Sequence, residues 1–185
     1  MHPYQMRRLL HERHKEEILV LKRGSLYHAI GRLERAGLIE PFATGREGRR
    51  PERTTYRLKP AGHEQLLATL REMVSTPRRE SSEFMAAMSF LVHLTPAEAL
   101  PLLDNRCRLL QNEIEQLSAG LGQAAKFVQK INLIESEYLL AMLKAERNWV
   151  LSVAADMRDG KLAWNLDKMF AEIKAATEAA GDLKE

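Results

Sequence analysis

The chain has 185 residues, of which 45% are hydrophobic and 29% charged, and its formal net charge is +3; these values are typical of a soluble globular protein of one or two domains. No apolar run approaches the ~20 residues that a membrane-spanning helix needs, and no secretion signal is evident. The single cysteine, Cys107, excludes an intramolecular disulfide and fits a reducing, cytoplasmic environment.

The charge is unevenly distributed along the chain. Residues 1–79 contain 17 Lys and Arg against 9 Asp and Glu, a net charge of +8, whereas residues 80–185 contain 11 against 16, a net charge of −5. A basic half followed by an acidic half is typical of a protein whose first part binds a polyanion such as nucleic acid. We therefore expect the binding function in the first half.

The first predicted element is a helix over residues 1–13. Pro3 is compatible with a first helical turn. Three apolar residues at helical spacing are expected to face inward: Met6, Leu9 and Leu10. Tyr4, Arg7 and Arg8 then lie on the outer side, where they are available to phosphate groups.

The second predicted helix, over residues 25–36, has clear ends. Ser25 suits an N-cap, because its hydroxyl can accept a bond from a free backbone N–H, and Gly37 suits the left-handed residue that ends a helix. The apolar positions expected to face a core are Leu26, Ile30 and Leu33. The opposite side carries polar and cationic residues: Ser25, Tyr27, His28, Arg32 and Arg35. Such a helix can lie in a DNA major groove, although an ordinary amphipathic surface helix has the same pattern.

A hairpin with an arginine-rich turn follows this helix. Residues 38–42 and 54–58 are rich in β-forming residues and predict two strands. Residues 43–53 between them contain two glycines, one proline and four arginines, which is turn chemistry. This order of elements, a helix, a strand, an arginine-rich loop and a second strand, is typical of a winged helix-turn-helix. The alternative interpretation of the loop is a solvated hairpin tip that binds no DNA. The wing residues expected to contact the DNA backbone or the minor groove are Arg46, Arg49 and Arg50.

A third helix opens at Lys59-Pro60-Ala61-Gly62 and ends near residues 75–79. Its apolar face comprises Leu66, Leu67, Leu70, Met73 and Val74. We place the domain boundary at its end. This gives a winged-helix DNA-binding domain over residues 1–79 and a helical domain over residues 80–185, for dimerisation and for binding any effector.

The acidic half is predicted to be helical. Residues 82–94 predict a short buried helix. Thr95 and Glu98 then match a capping box, with Pro96 at the first helical position. Beyond it, apolar residues alternate at spacings of three and four, which is typical of coiled-coil packing: Leu100, Leu103, Cys107, Leu110, Ile114, Leu117 and Leu121.

A second long helix is predicted from Phe127 to Met157. Because this helix is apolar on two sides, more than one packing partner must cover it. One partner can come from its own chain, and a second subunit is the simplest source of another. Asp159-Gly160-Lys161 breaks the pattern, and residues 162–173 predict a final amphipathic helix.

The sequence gives little support for metal binding or catalysis. The six histidines and the single cysteine do not form a zinc-like set, and no phosphate-binding loop or nucleophile motif is present, so we predict no metal, no cofactor and no catalysis. Cys107 lies on the apolar repeat and is expected to pack there. Four aromatic residues could line a small-molecule pocket between helices, or could belong to an ordinary dimer core: Phe127, Tyr138, Trp149 and Trp164.

Several motifs together resemble a known family. They are Gly24-Ser25-Leu26-Tyr27, Arg32-Leu33-Glu34 with Gly37-Leu38-Ile39, Tyr56-Arg57-Leu58 with Pro60-Ala61-Gly62, His2-Pro3-Tyr4-Gln5-Met6, and Trp149 with Gly160-Lys161-Leu162-Ala163-Trp164. This combination resembles the PadR-family transcriptional regulators, in their longer form with a helical C-terminal domain. The resemblance covers residues 1–79 well and residues 80–164 more loosely.

The resemblance implies a dimeric DNA-binding regulator, most often a repressor of nearby genes, with Tyr27, its helix neighbours and the wing arginines at the DNA. It also implies release from DNA by a small aromatic or cationic ligand, as for many relatives. This sequence departs from the family in starting without the apolar helix that precedes the segment matching His2-Pro3-Tyr4, so the first domain is expected to be shortened or the start codon misplaced. A second departure is Gly31 in the middle of a helix, where glycine lowers helix stability by roughly 1 kcal/mol relative to alanine. A third is Lys59, at a position where the family usually has a better N-cap residue.

We therefore predict a mainly α-helical protein with a small β-wing, acting as a transcriptional regulator that binds pseudo-palindromic DNA as a homodimer. One alternative is a winged-helix adaptor that binds protein and not DNA. Another is an enzyme with a site between the helices, for which no residue pattern recommends a substrate.

Overall fold

The computed structural model describes residues 1–12, 25–45, 53–78 and 82–181. The chain divides into two compact units, Met1–Glu80 and Ser81–Glu185. Its elements are α1 (Pro3–Glu12), α2 (Ser25–Arg35), β1 (Ile39–Gly45), β2 (Arg53–Leu58), α3 (Pro60–Ser75), α4 (Glu83–Ser89), a 3-10 turn (Leu91–His93), α5 (Pro96–Ala124), a 3-10 turn (Lys130–Asn132), α6 (Ile134–Arg158) and α7 (Leu166–Gly181). The predicted fold class, mainly helical with a two-stranded wing, is confirmed.

Helix α2 ends at a glycine, as the sequence predicts. Gly37 has a φ of 70°, in the left-handed region that favours glycine. Its N–H donates to the carbonyl of Glu34, and the N–H of Leu38 donates to the carbonyl of Leu33, both at 2.9 Å. This pair of bonds is a Schellman motif, which satisfies the last carbonyls of the helix and turns the chain into β1.

The two strands form an antiparallel hairpin. The register pairs Ile39 with Leu58, Glu40 with Arg57 and Pro41 with Tyr56, and it shifts between Pro41 and Ala43. Arg57 and Glu40 also form an ion pair at 2.5 Å. On the other side of β2, the backbone N–H of Tyr56 donates to the carbonyl of Met1 at 3.1 Å, and the amino group of Met1 donates to the carbonyl of Tyr56 at 2.7 Å. Met1 is therefore held against β2 by two hydrogen bonds.

Helix α3 approaches the end of α2 through a glycine. A Cβ added to Gly62 would lie 2.1 Å from the carbonyl oxygen of Leu38, a distance that no side chain can adopt. The same carbonyl accepts a bond from the N–H of Lys59 at 3.0 Å. Lys59 provides no side-chain cap for α3, in line with its poor N-cap chemistry. Gly62 thus permits a close contact that the sequence pattern did not reveal.

The core of the C-terminal unit lies between α5 and α6, which run antiparallel. One cluster joins Leu103 and Cys107 to Val150 and Ala154, and a second joins Leu110 and Ile114 to Leu143. The predicted apolar repeat along α5 is therefore confirmed as a packing seam. The capping box is also present at its start: Thr95 and Glu98 each bond the backbone N–H of the other.

Several boundaries and burial predictions were wrong. The long helix α6 begins at Ile134 and not at Phe127, because residues 125–133 form the connection that reverses the chain between two antiparallel helices. Residues 82–94 break into a short helix and a 3-10 turn, in which no described residue is buried. The last helix begins at Leu166, four residues later than the predicted start.

The N-terminal unit also buries less than the sequence suggested. Leu33, predicted to face a core, is 41% exposed; among the described elements, α2 packs against α1 and β1. The apolar face of α3 is largely exposed as well; the residues concerned are Leu66, Leu70, Met73 and Val74.

Candidate nucleic-acid interface

Helix α2 presents two contrasting faces. Ile30 is 5% exposed and anchors the inner face, whereas Tyr27 on the outer face is 60% exposed. His28 and Arg32, one helical turn apart, are also exposed. The structure therefore places three of the predicted contact residues together on one accessible face. Ser25, the first residue of the helix, is half-buried.

Arg35 extends this face by one further turn. Its Nε donates to the carbonyl oxygen of Gly31 at 3.0 Å, so the guanidinium group is held along the helix surface. Cationic residues in the last turn also interact favourably with the helix dipole. The face contains donor groups from Tyr27, His28 and two arginines, which can bond to phosphate oxygens and to base acceptors.

Helix α1 contributes a second set of exposed side chains within the same unit, and it packs against α2. Tyr4, Arg7 and Arg8 are exposed, as the sequence predicts. Arg8 forms an ion pair with Glu12 one turn later, at 3.1 Å. An exposed pair of this kind contributes little to stability, so a phosphate group can compete with Glu12 for the arginine.

The hairpin supports a cationic group that the sequence reasoning did not single out. Arg57 on β2 lies over the ring of Phe42 on β1, with its Cζ 5.1 Å from the ring centroid, and it pairs with Glu40. The cross-strand register that pairs residue 40 with residue 57 is the signal that could have found this contact. The wing arginines Arg46, Arg49 and Arg50 lie outside the described residues.

The four aromatic residues predicted for an effector pocket lie in separate places of the C-terminal unit. Phe127 is in the turn after α5 and is 87% exposed. Tyr138 and Trp149 are eleven residues apart on α6, a separation of about 16 Å along the helix axis. Trp164 is half-buried and donates its indole N–H to the carbonyl of Leu94 at 2.7 Å. Their role in ligand binding stays a prediction.

A different cluster surrounds Trp149. Its ring packs edge-to-face against Phe84 of α4, with 6.0 Å between the ring centroids. The guanidinium group of Arg106 lies 3.7 Å above the Phe84 ring and also pairs with Glu146 of α6 at 2.5 Å. These contacts join α4 to both long helices. Sequence reasoning missed them because the residues are far apart in the chain.

The described residues show no group of three or more His, Cys, Asp or Glu side chains that could hold a metal ion. Cys107 is buried in the seam, and this burial raises the pKa of its thiol. A thiol of this kind is a poor nucleophile and behaves as a small apolar residue. Within the part of the chain that is described, no helix is long and apolar enough to cross a bilayer.

Comparison with known proteins gives one family and several similar structures. Bacillus subtilis PadR, solved in complex with operator DNA, has a TM-score of 0.67 and 20% identity over 85% of this chain and 89% of its own. The same protein solved with p-coumaric acid has a TM-score of 0.66 and 18% identity, over 85% and 90%. The protein smu.1604c from Streptococcus mutans has a TM-score of 0.52 and 22% identity, over 73% and 79%. Identities this low show a shared fold alone.

Among proteins of curated function, none matches this sequence. The family comparison is more specific, since residues 1–68 match the model of the transcriptional regulator PadR-like family. That range contains α1, α2, the hairpin and the first half of α3, and hence all of the described face of α2. The N-terminal part of this chain therefore contains a domain of the PadR-like family of transcriptional regulators.

Proposed function

We propose that this protein is a transcriptional regulator that binds pseudo-palindromic operator DNA as a homodimer and represses the genes that the operator controls. The observation that carries the proposal is the surface of α2, where Tyr27, His28 and Arg32 are exposed while Ile30 is buried. This face belongs to the half of the chain with a net charge of +8. A helix of this kind fits the major groove, and the charge favours a polyanion.

The contacts divide by chemistry. Arg32 has the fork of donors that matches the two acceptors of a guanine edge, and His28 can reach a base edge or a phosphate. Tyr4, Arg7 and Arg8 on α1 are suited to phosphate groups beside the groove, and Ser25 and Tyr27 to the backbone at the start of α2. The wing arginines would contact the backbone or the minor groove.

An exposed apolar stripe on α6 supports the homodimer. Four of its members are at least 48% exposed although they recur at helical spacing: Ile134, Tyr138, Met142 and Trp149. A second copy of the chain is the simplest cover for such a stripe. Two-fold symmetry then presents two α2 helices to successive major grooves, about 34–36 Å apart or a multiple of that distance.

The similar structures support the same assignment and suggest an effector. Bacillus subtilis PadR is described in complex with operator DNA and, separately, with p-coumaric acid. We infer that a small aromatic or cationic molecule controls this chain as well, and that it binds at one or more of its aromatic residues: Phe127, Tyr138, Trp149 and Trp164. Quenching of tryptophan fluorescence together with weaker DNA binding would support this inference; an effect on neither would oppose it.

The test of DNA binding starts from the wild-type protein. Duplexes are selected from a random library and their affinities measured by fluorescence anisotropy. Arg32→Ala is expected to lose roughly 5- to 150-fold, about 1–3 kcal/mol, on the selected duplex. The matched control Arg108→Ala removes an exposed arginine from α5, in the acidic half, and should change little. If the wild-type protein enriches no duplex, the proposal fails, and the alternative hypothesis, a winged-helix adaptor that binds protein and not DNA, is favoured.

A further inference from the structure

Gly31 lies in the interior of α2, where glycine is the least favourable residue after proline. Two other glycines of this unit are explained by contacts or backbone conformation within the chain: Gly37 has a positive φ, and Gly62 lies against the carbonyl of Leu38. Gly31 has neither reason. A Cβ added there would meet no atom of the described residues within 4 Å. The described part of the fold therefore has room for a larger residue at this position.

Gly31 is half-buried and lies beside exposed residues of the helix. Gly31 is four residues after Tyr27, three after His28 and four before Arg35, so it shares their side of α2. The bond from Arg35 Nε to the Gly31 carbonyl keeps the guanidinium group beside the glycine. The result is a bare stretch of helix backbone, framed by an aromatic ring, an imidazole and a guanidinium group.

We propose that Gly31 is the point at which α2 comes closest to duplex DNA, and that its missing side chain sets how deeply the helix enters the groove. This inference rests on the proposed DNA-binding function. A helix with its side chains is about 10–12 Å across and the major groove is about 12 Å wide, so the fit is close. A bare backbone at the centre of the face lets the helix sit deeper, which brings Tyr27, His28 and Arg32 within reach of the DNA.

The proposal requires stability and affinity to change in opposite directions. Gly31→Ala and Gly31→Leu place good helix formers at an open position, so both should raise the midpoint of thermal unfolding. Both should weaken binding to the duplex selected by the wild-type protein, by about tenfold or more for alanine and further for leucine. Binding to a scrambled duplex of equal length should fall less, because it depends mainly on phosphate contacts.

Gly120 provides the matched control. It lies inside α5, in the other unit, and a Cβ added there also meets no described atom within 4 Å. Gly120→Ala should raise thermal stability and keep the affinity for the selected duplex within about twofold of the wild type.

The outcomes separate the two proposals. If the wild-type protein binds no selected duplex, the proposed function fails and this inference fails with it. If the wild type binds and Gly31→Ala binds equally well, only the inference is overturned. It is also overturned if Gly31→Ala lowers stability, because the position is then packed against the chain, or if Gly120→Ala loses as much affinity.

Discussion

The two units of this protein are stabilised in different ways. Of the nine buried hydrophobic residues among those described, eight lie in the C-terminal unit, and Ile30 alone lies in the N-terminal unit. The C-terminal unit is organised by a continuous seam between α5 and α6. The N-terminal unit depends instead on backbone features: the Schellman motif at Gly37, the hairpin register and the close approach at Gly62.

The two units therefore differ in which substitutions are expected to destabilise them. The C-terminal unit contains a packed pair of helices with an exposed apolar stripe on α6, which is the surface of the proposed homodimer. The described polar and cationic side chains of the N-terminal unit lie mostly on the surface, and among the described residues of this unit only Ile30 is a buried hydrophobic residue of α2. We expect core substitutions to affect mainly the C-terminal unit, and backbone substitutions mainly the N-terminal one.

The largest expected effect comes from the seam. Leu103→Ala should lower the free energy of unfolding by about 2–5 kcal/mol, because it leaves a cavity beside Val150 and Ala154. The same substitution at Leu66, which is 48% exposed on α3, should cost less than about 1 kcal/mol. Urea unfolding followed by circular dichroism measures both. Equal losses would contradict the contrast between the two units.

The next effect concerns the backbone of the N-terminal unit. Gly62→Ala should destabilise this unit by about 1–3 kcal/mol, since the new methyl group would overlap the Leu38 carbonyl and force α3 away. Gly31→Ala in the same unit should have the opposite sign. Thermal unfolding of the two variants in parallel tests this. A neutral Gly62→Ala would mean that the close approach does not support the unit.

A smaller effect is expected at the start of α5. Thr95→Ala removes the N-cap hydroxyl and should cost about 1 kcal/mol. The backbone N–H and the hydroxyl of Thr95 donate to Glu98 and hold the pKa of its carboxyl group below the ordinary value. The stabilisation is therefore complete at neutral pH and is lost as the pH falls through this lowered pKa.

The pH dependence supplies the measurement for this cap. Unfolding of the wild type from neutral to acidic pH should show a loss of stability that Glu98→Gln lacks. Identical profiles for the two proteins would contradict the role assigned to the carboxylate.

Much of the fold followed from local rules. The Gly37 end of α2, the capping box at Thr95 and the apolar seam of α5 each depend on residues a few positions apart, and each was predicted. The exposed face of α2 followed from helical periodicity in the same way. The connection at residues 125–133 was not predicted, because its apolar spacing continues that of the helix while the chain must reverse there.

What sequence reasoning missed depends on contacts between distant segments. Phe84, Arg106 and the α6 pair of Glu146 and Trp149 form a cluster that joins three helices, and no spacing rule connects residues on different helices. The tight fit of Gly62 depends on a carbonyl 24 residues earlier in the chain. The exposed flank at Leu33 depends on which neighbours cover α2. Periodicity predicts which face is apolar but not what covers it.

The basic N-terminal unit is proposed to bind duplex DNA through α2 and its arginines. The most direct measurement is the affinity of the wild-type protein for its selected duplex over a series of salt concentrations. If arginine and lysine side chains neutralise phosphates, the logarithm of the association constant falls linearly with the logarithm of the salt concentration, with a slope set by the number of phosphates neutralised. An affinity independent of salt would contradict this proposal.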